Sequence, residues 1–247
     1  MSRSTRHRSP RAYVALLYLC AVALYSCGAE LPQGRPGPEA ERLAAKMLEA
    51  VTADGFWMAE GARWRFMSHS YVWHRGTGRV RVRLSEDETT YLELHTGRAF
   101  ARRDGHPLTG GELEEARSEA MKAFNNDSFW AFAPFKVLDS GAQRSLVRGA
   151  EGDELLVTYT AGGSTPGDSY LWRLDERGRP VSWRMWVSVI PRRGVTTSWE
   201  GWTQTQSGAW VATEHRALGL TLEVKELALT RRFEELEDPD PLLTDGW

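Results

Sequence analysis

Asp127 is the side chain whose sequence neighbours best fit catalysis. It follows Asn125 and Asn126 and precedes Phe129 and Trp130, and a carboxylate desolvated beside rings shifts toward the range of a general acid or base. The same residues also read without chemistry, with Asn125, Asn126 and Asp127 closing a helix and bonding local backbone groups. No second catalytic group stands at a recognisable spacing, and His215 would serve a hydrolase on residue type alone. After Cys27 the chain carries His69, His74, His95, His106 and His215. A zinc site needs several ligands converging on one point. His69 and His74 have opposite strand parity, so scattered polar histidines are expected rather than a metal centre. The sequence has no GxSxG, HExxH, P-loop, GxGxxG or CxxC pattern. These observations predict no enzyme, no metal and no cofactor.

Cys27 offers a different chemistry. Arg3, Arg6, Arg8 and Arg11 precede an apolar run from Tyr13 to Tyr25. That run is short of the roughly 20 residues a spanning helix needs, and a basic segment followed by a short apolar one is the export-signal pattern. Leu24-Tyr25-Ser26-Cys27-Gly28 resembles a bacterial lipobox, with an aliphatic residue at −3 and a small one at −1 before a cysteine that is lipidated. An ordinary cleaved signal or an uncleaved anchor is the alternative. Cleavage before Cys27 removes Cys20 and leaves one thiol with no internal disulfide to form. Gly28 at +2, where aspartate would resemble an inner-membrane retention signal, favours the outer membrane facing the periplasm. The predicted organisation is a signal peptide over 1–26, a lipidated tether over 27–38, one domain over 39–229 and an acidic flexible tail over 230–247.

The elements that would position any site come from composition and period. With 247 residues, 41% hydrophobic and 26% charged, the chain can bury a full core, which excludes disorder, collagen and coiled coil. A formal charge of −2 argues against a general nucleic-acid binder. Removing residues 1–26 takes away four arginines and no acid, moving −2 to −6, so a polybasic lipid-binding patch is not expected. Ala40, Leu43, Ala44, Met47, Leu48 and Val51 form one helical stripe ending near Gly55. Thr109 and Glu112 fit a capping box opening a second helix with Leu113, Ala116, Ala120 and Phe124 on its stripe. Residues 124–136 then hold four Phe and one Trp with neither helical nor strand period, which reads as an aromatic loop.

Strand patterns fill the rest. Residues 79–84 alternate arginines with Val80, Val82 and Leu84, and 88–95 reads as their hairpin partner. Over 63–75, Trp64 and Phe66 share one parity while Met67, Tyr71 and Trp73 share the other, which predicts a bulge or a strand buried on both faces. Further strands are expected over 144–149, 153–160, 169–175, 181–190, 195–202, 209–216 and 220–228. The predicted fold is mainly β (α+β), a curved antiparallel open half-barrel sheet of about 11 strands with two helices covering the concave side. On 181–190 the second face also carries Trp186 and Ile190, so both faces should be covered, one by helices and the other by a ligand or a folded loop.

The segment Phe124-Asn125-Asn126-Asp127…Trp130…Pro134-Phe135-Lys136…Asp139…Gly141 looks like a motif of exported bacterial proteins. So does Pro166-Gly167-Asp168-Ser169-Tyr170, followed by Trp183, Trp199-Glu200-Gly201 and His215. With the lipobox and the order of elements, the chain resembles the LolA/LolB/LppX superfamily of bacterial lipoprotein carriers across residues 39–229. The resemblance implies an open half-barrel capped by helices over an apolar cavity. A lipidated chain is nearer to LolB or LppX than to LolA. The ligand-binding residues expected on this reading are Trp64, Phe66, Phe129, Trp130, Phe132, Trp183, Met185 and Trp199, although large rings also fill an ordinary curved core. The expected partners are the membrane, through lipidated Cys27, and a lipid, acyl chain or other apolar ligand, with no nucleic acid. The alternative is an anchored interaction module that docks on an envelope protein through exposed Phe129, Trp130 and Phe132.

Overall fold

The computed structural model describes residues 28–247, so the expected signal peptide and Cys27 lie outside the described residues. The first strands are β1 (Gly61–Phe66), β2 (His69–His74), β3 (Arg79–Arg83), β4 (Glu88–Glu93), β5 (Ala99–Arg103) and β6 (His106–Pro107). The second series is β7 (Ala142–Gly149), β8 (Gly152–Tyr159), β9 (Ser169–Leu174), β10 (Pro180–Trp186) and β11 (Val195–Ser198). After these come β12 (Thr203–Gln204), β13 (Trp210–Val211), β14 (Glu214–Ala217) and β15 (Leu220–Thr230). One sheet runs β14-β15-β1-β2-β3-β4-β5-β6 and another β11-β10-β9-β8-β7, with β12 and β13 a small pair. A bridge between Glu200 and Glu214 joins the two large sheets, as does the Arg216 amide donating to Ser198 Oγ at 2.9 Å. The result is a curved, unclosed antiparallel layer, the α+β half-barrel of the sequence reading. Its strands are more numerous than the spacing predicted, because turns divide two of the expected runs and the two-residue β6 and β12 add to them.

The run 63–75 is one of these. The structure turns at Met67 (φ 53°) and pairs Trp64 with Tyr71 and Phe66 with His69. A two-residue turn therefore reverses the parity and puts Trp64, Phe66, His69, Tyr71 and Trp73 on one inner face, while the register shift opposite Arg63–Arg65 lies in the partner strand β15. The other divided run is 209–216, split between β13 and β14.

Two helices lie inside the curve. α1 (Pro38–Ala50) buries Ala40, Ala44, Met47 and Leu48, the predicted stripe. It stops before Gly55 because Thr52 adopts φ 52° ahead of the short α2 (Ala53–Trp57). α3 (Gly110–Phe132) begins after Thr109, whose side chain makes no capping hydrogen bond. It continues through Asn125-Asn126-Asp127 to Phe132, and Ala133–Lys136 forms a 3₁₀ turn. The expected aromatic loop over 124–136 is thus corrected to helix. Its missing period has a physical cause: a helix buried between two halves of a sheet is apolar on several sides. Phe124 meets Trp64 and Trp73 on one side, while Phe129 meets Tyr170 and Trp183 on the other.

The outer face is covered by the chain's own ends. The stretch read as a loose acidic tail, 230–247, is packed there. Phe233 stacks on His74 with centroids 4.4 Å apart, and Leu243, on α4 (Pro241–Asp245), is fully buried. Asp240 caps α4 and accepts from Arg81 at 2.7 Å and Tyr91 at 3.0 Å. The acids that suggested a solvated tail include partners for the arginine face of β3. At the other end, Arg35 exchanges two 2.8 Å backbone hydrogen bonds with Leu146, covering the free edge of β7. The Trp186 indole donates to the Ala29 carbonyl at 2.7 Å. Residues 28–35 therefore supply the second cover on this side, and it is folded chain.

Candidate functional site

A cavity of about 690 Å³ opens between α3 and the five-stranded sheet. Its volume falls within the roughly 300–1,000 Å³ of small-molecule sites. Phe129 on α3, Tyr170 on β9, Trp183 and Met185 on β10, and Val187 and Ile190 beyond β10 form the apolar wall. Period two brings Tyr170, Trp183 and Met185 to this face, since Tyr170 pairs with Met185 and Trp172 with Trp183. The mouth is polar. Asp168 is 5% exposed and accepts from Thr165 Oγ1 at 2.6 Å and the Ser188 amide at 2.9 Å. The Ser188 bond ties the 187–194 loop to the 160–168 loop, the Thr165 bond closes the latter on itself, and Asn125 Nδ2 reaches Ser164 Oγ at 3.0 Å from α3.

Lys136, Asp139 and Tyr159 also line the cavity. Lys136 Nζ lies 3.8 Å from Asp139 Oδ2. Burial pushes the Lys136 ammonium down and the Asp139 carboxyl up, and their mutual attraction opposes both shifts. Burial and the Asp139 charge hold the Tyr159 phenol well above its ordinary range, so it stays neutral and able to donate. The arrangement suits an apolar body with a polar end.

Of the eight ligand-binding residues read from sequence, Phe129, Trp130, Trp183 and Met185 line this cavity. Trp64, Phe66, Phe132 and Trp199 are buried elsewhere in the core. Trp64 stacks on Tyr71 at 4.6 Å, Phe66 on Trp130 at 6.1 Å, and Phe132 meets Trp64 at 5.2 Å. Trp199 contacts Trp172, Trp183 and His215. Sequence reasoning did not single out Tyr170, Tyr159, Lys136, Val187 or Ile190 as ligand contacts. The parity of Val187 with Trp183 and Met185 was the available signal.

Asp127 belongs to a separate cluster. It is 3% exposed, and its Oδ2 accepts from the Tyr71 hydroxyl at 2.5 Å and lies 2.8 Å from His69 Nδ1. Its Oδ1 accepts from Asn126 Nδ2 at 2.8 Å. Burial and the Asp127 charge hold the Tyr71 phenol far above its usual range, so it remains a donor. The cluster ties the middle of α3 to β2, which corrects the reading of Asn125 to Asp127 as a helix end. His215 is not among the Asp127 partners; it lies between Trp130 and Trp199. Asp127→Ala is expected to cost about 2 kcal/mol by leaving a buried phenol without its acceptor, with Asp127→Asn milder. Urea unfolding of both variants measures this, and an alanine variant as stable as the parent would remove the structural role.

Among the described residues no group of three or more His, Cys, Asp or Glu gathers as metal ligands. Among them, too, no helix is long and apolar enough to cross a membrane. No protein-family model matches the chain, and no curated protein matches it. Among solved structures, the chain is similar to a DUF1329 family protein from Desulfovibrio piger, at 8% sequence identity and a TM-score of 0.46. That alignment covers 83% of this chain and 96% of the other.

Proposed function

We propose that this protein is a non-enzymatic, lipid-anchored protein of the bacterial envelope that holds a lipid, acyl chain or other apolar ligand in the half-barrel, in the manner of the LolA/LolB/LppX carriers. The observation that carries this reading is the 690 Å³ cavity with its wall of Phe129, Tyr170, Trp183, Met185 and Val187. Each methylene buried there contributes about 0.8 kcal/mol, so an acyl chain is retained without strong polar contacts. Anchoring is through a lipidated Cys27, with an outer-membrane location facing the periplasm. The alternative, an interaction module docking through residues 124–136, needs exposed rings. Phe132 is fully buried and Phe129 and Trp130 are partly buried against the core, so these rings offer a partner little surface.

The test is native mass spectrometry with lipid extraction on the full chain, purified in detergent from a bacterial envelope. A stoichiometric lipid beyond the covalent anchor supports the reading, and a protein that stays empty when offered fatty acids and phospholipids overturns it. Val187 is only partly buried, at the cavity wall. Val187→Trp should fill the space and lower retained ligand roughly tenfold, equivalent to ~1.4 kcal/mol, with the unfolding midpoint unchanged. Equal ligand content in parent and variant would place the ligand elsewhere.

A further inference from the structure

The strand order places a set of turns on one edge of the half-barrel. β1 ends at Phe66 beside the start of β2 and the early part of β15, as the pairs Phe66↔His69 and Phe66↔Val224 fix. β15 begins at the turn from β14, where Ala217 pairs with Leu220. β14 runs antiparallel to β11 and the bridge residue Glu200 just past it, so its end lies beside the start of β11 and the loop 187–194. Trp186 pairs with Ser169, which brings the 160–168 loop to the same edge. These turns carry large apolar side chains in solvent: Met67 is 68% exposed, Val189 70%, Leu218 60% and Leu220 64%. Burying such a row against an apolar phase is favourable, and exposed apolar patches mark contact sites.

Two further observations fall on the same edge. The cavity opens there, since residues 161–165, Val189 and Ile190 line it. The chain also reaches its described N-terminus there. A Cβ on Gly28 would stand 2.8 Å from the Arg193 Cβ, and Ala29 is held by the Trp186 indole. Residues 28–35, part of the stretch read from sequence as a tether, are held to the body at both ends, by Gly28 and Ala29 and by Gly34 and Arg35. Gly28, the residue that follows Cys27 in sequence, is thus held against Arg193 on this edge.

We propose that this edge, formed by the turns at Met67, at Val189–Gly194 and at Leu218–Leu220, rests on the lipid bilayer and presents the cavity mouth to it. The inference rests on the anchoring of Cys27 in the preceding reading and adds the orientation of the body and the route of the ligand. Arg192 and Arg193 are exposed at the same edge and complement anionic headgroups. Glu86, Asp87 and Asp104 occupy the turns at its far end. These acids stand beside the exposed Arg83, Arg102 and Arg103, so the apolar turns rather than charge select the half nearest Gly28. A ligand can then pass between membrane and cavity without crossing water.

Trp57 gives an internal control, because it is 48% exposed on the opposite edge, before the start of β1. Full-length chains with Met67→Cys, Val189→Cys, Leu218→Cys or Trp57→Cys are produced in a bacterium, labelled with an environment-sensitive fluorophore and reconstituted into phosphatidylethanolamine–phosphatidylglycerol vesicles. The mass of the N-terminal peptide reports whether Cys27 is lipidated. The expected result is a blue shift and loss of emission with lipid-borne quenchers at positions 67, 189 and 218, and neither at 57. Equal quenching at all four positions on lipidated protein overturns the orientation and leaves the anchor standing. An unmodified Cys27 overturns the anchor and the orientation with it. Probes at 67, 189 and 218 shielded from both lipid-borne quenchers and aqueous iodide would mean that protein covers this edge, which also overturns the proposal.

Discussion

Trp183→Ala is expected to lower the free energy of unfolding by about 3–5 kcal/mol, the range for removing a large buried ring. Trp183 is 1% exposed. Its ring lies 4.6 Å from Tyr170, 4.8 Å from Trp172, 5.0 Å from Trp199 and 5.3 Å from Trp130. These neighbours come from β9, the residue just past β11, and α3, so they cannot all collapse into the space left behind. The same substitution widens the cavity and removes one wall of it, so ligand retention should fall as well. Trp183→Phe keeps a ring and is expected to lose less than half as much stability. Urea unfolding with and without added ligand separates the two effects. An alanine variant that keeps its stability while losing ligand would make Trp183 a contact residue alone. Unchanged ligand content with the full loss of stability would make it core alone.

Lowering the pH from 7 toward 4 is expected to remove about 3 kcal/mol of stability through His215. His215 is fully buried between Trp130 and Trp199, and burial pushes its pKa down to about 4, against partial compensation from backbone carbonyls. In the unfolded chain the imidazole takes a proton near 6.5. Between about 6.5 and 4 the unfolded state therefore binds a proton that the folded state does not. The stabilisation is complete above that window and is lost as pH falls through it. His74 is also held below its ordinary range by burial and acts in the same direction. His215→Phe keeps a ring between the two indoles and should flatten most of the pH dependence. Denaturant midpoints at pH 7, 5.5 and 4.5 for parent and variant give the comparison, and parallel curves would exclude His215 as the source.

The strands were legible where period two is clean. Residues 79–83, 152–159 and 169–174 lie within a residue or two of where alternation put them, and Val80 and Val82 face the core opposite their arginines. The stripe of α1 was equally plain. Two features were hidden for physical reasons. The turn at Met67 has no glycine, asparagine or proline at its left-handed position, so the hairpin read as one irregular strand. The second half of α3 lacks one-sided amphipathicity because sheet surrounds it, so it read as a loop. That misreading affected the site. Phe129 and Trp130 stand out by type alone, and four of the seven rings expected around the ligand are core, since sequence shows that a ring is buried but not which void it borders. Asp127 drew attention for a catalytic pattern, yet its partners Tyr71 and His69 sit on a strand whose parity was obscured by the same turn.

The pairing of β1 with β15 bears on how the molecule is assembled. Gly61 pairs with Thr230 and Phe66 with Val224, so the middle of the large sheet joins the first strand of the domain to the last. Such distant pairings close slowly, because chain entropy is lost before the contacts form. During synthesis from the N-terminus, β1 and β2 can form a hairpin early, but the other edge of β1 stays open until residues 220–230 exist. An open edge invites pairing with another chain. Arg63 and Arg65 point outward along that edge, and in the finished protein they meet Glu237 and Glu226. Before those acids arrive, the two charges repel a second copy of the same strand, so they protect the nascent chain as well as bracing the completed sheet.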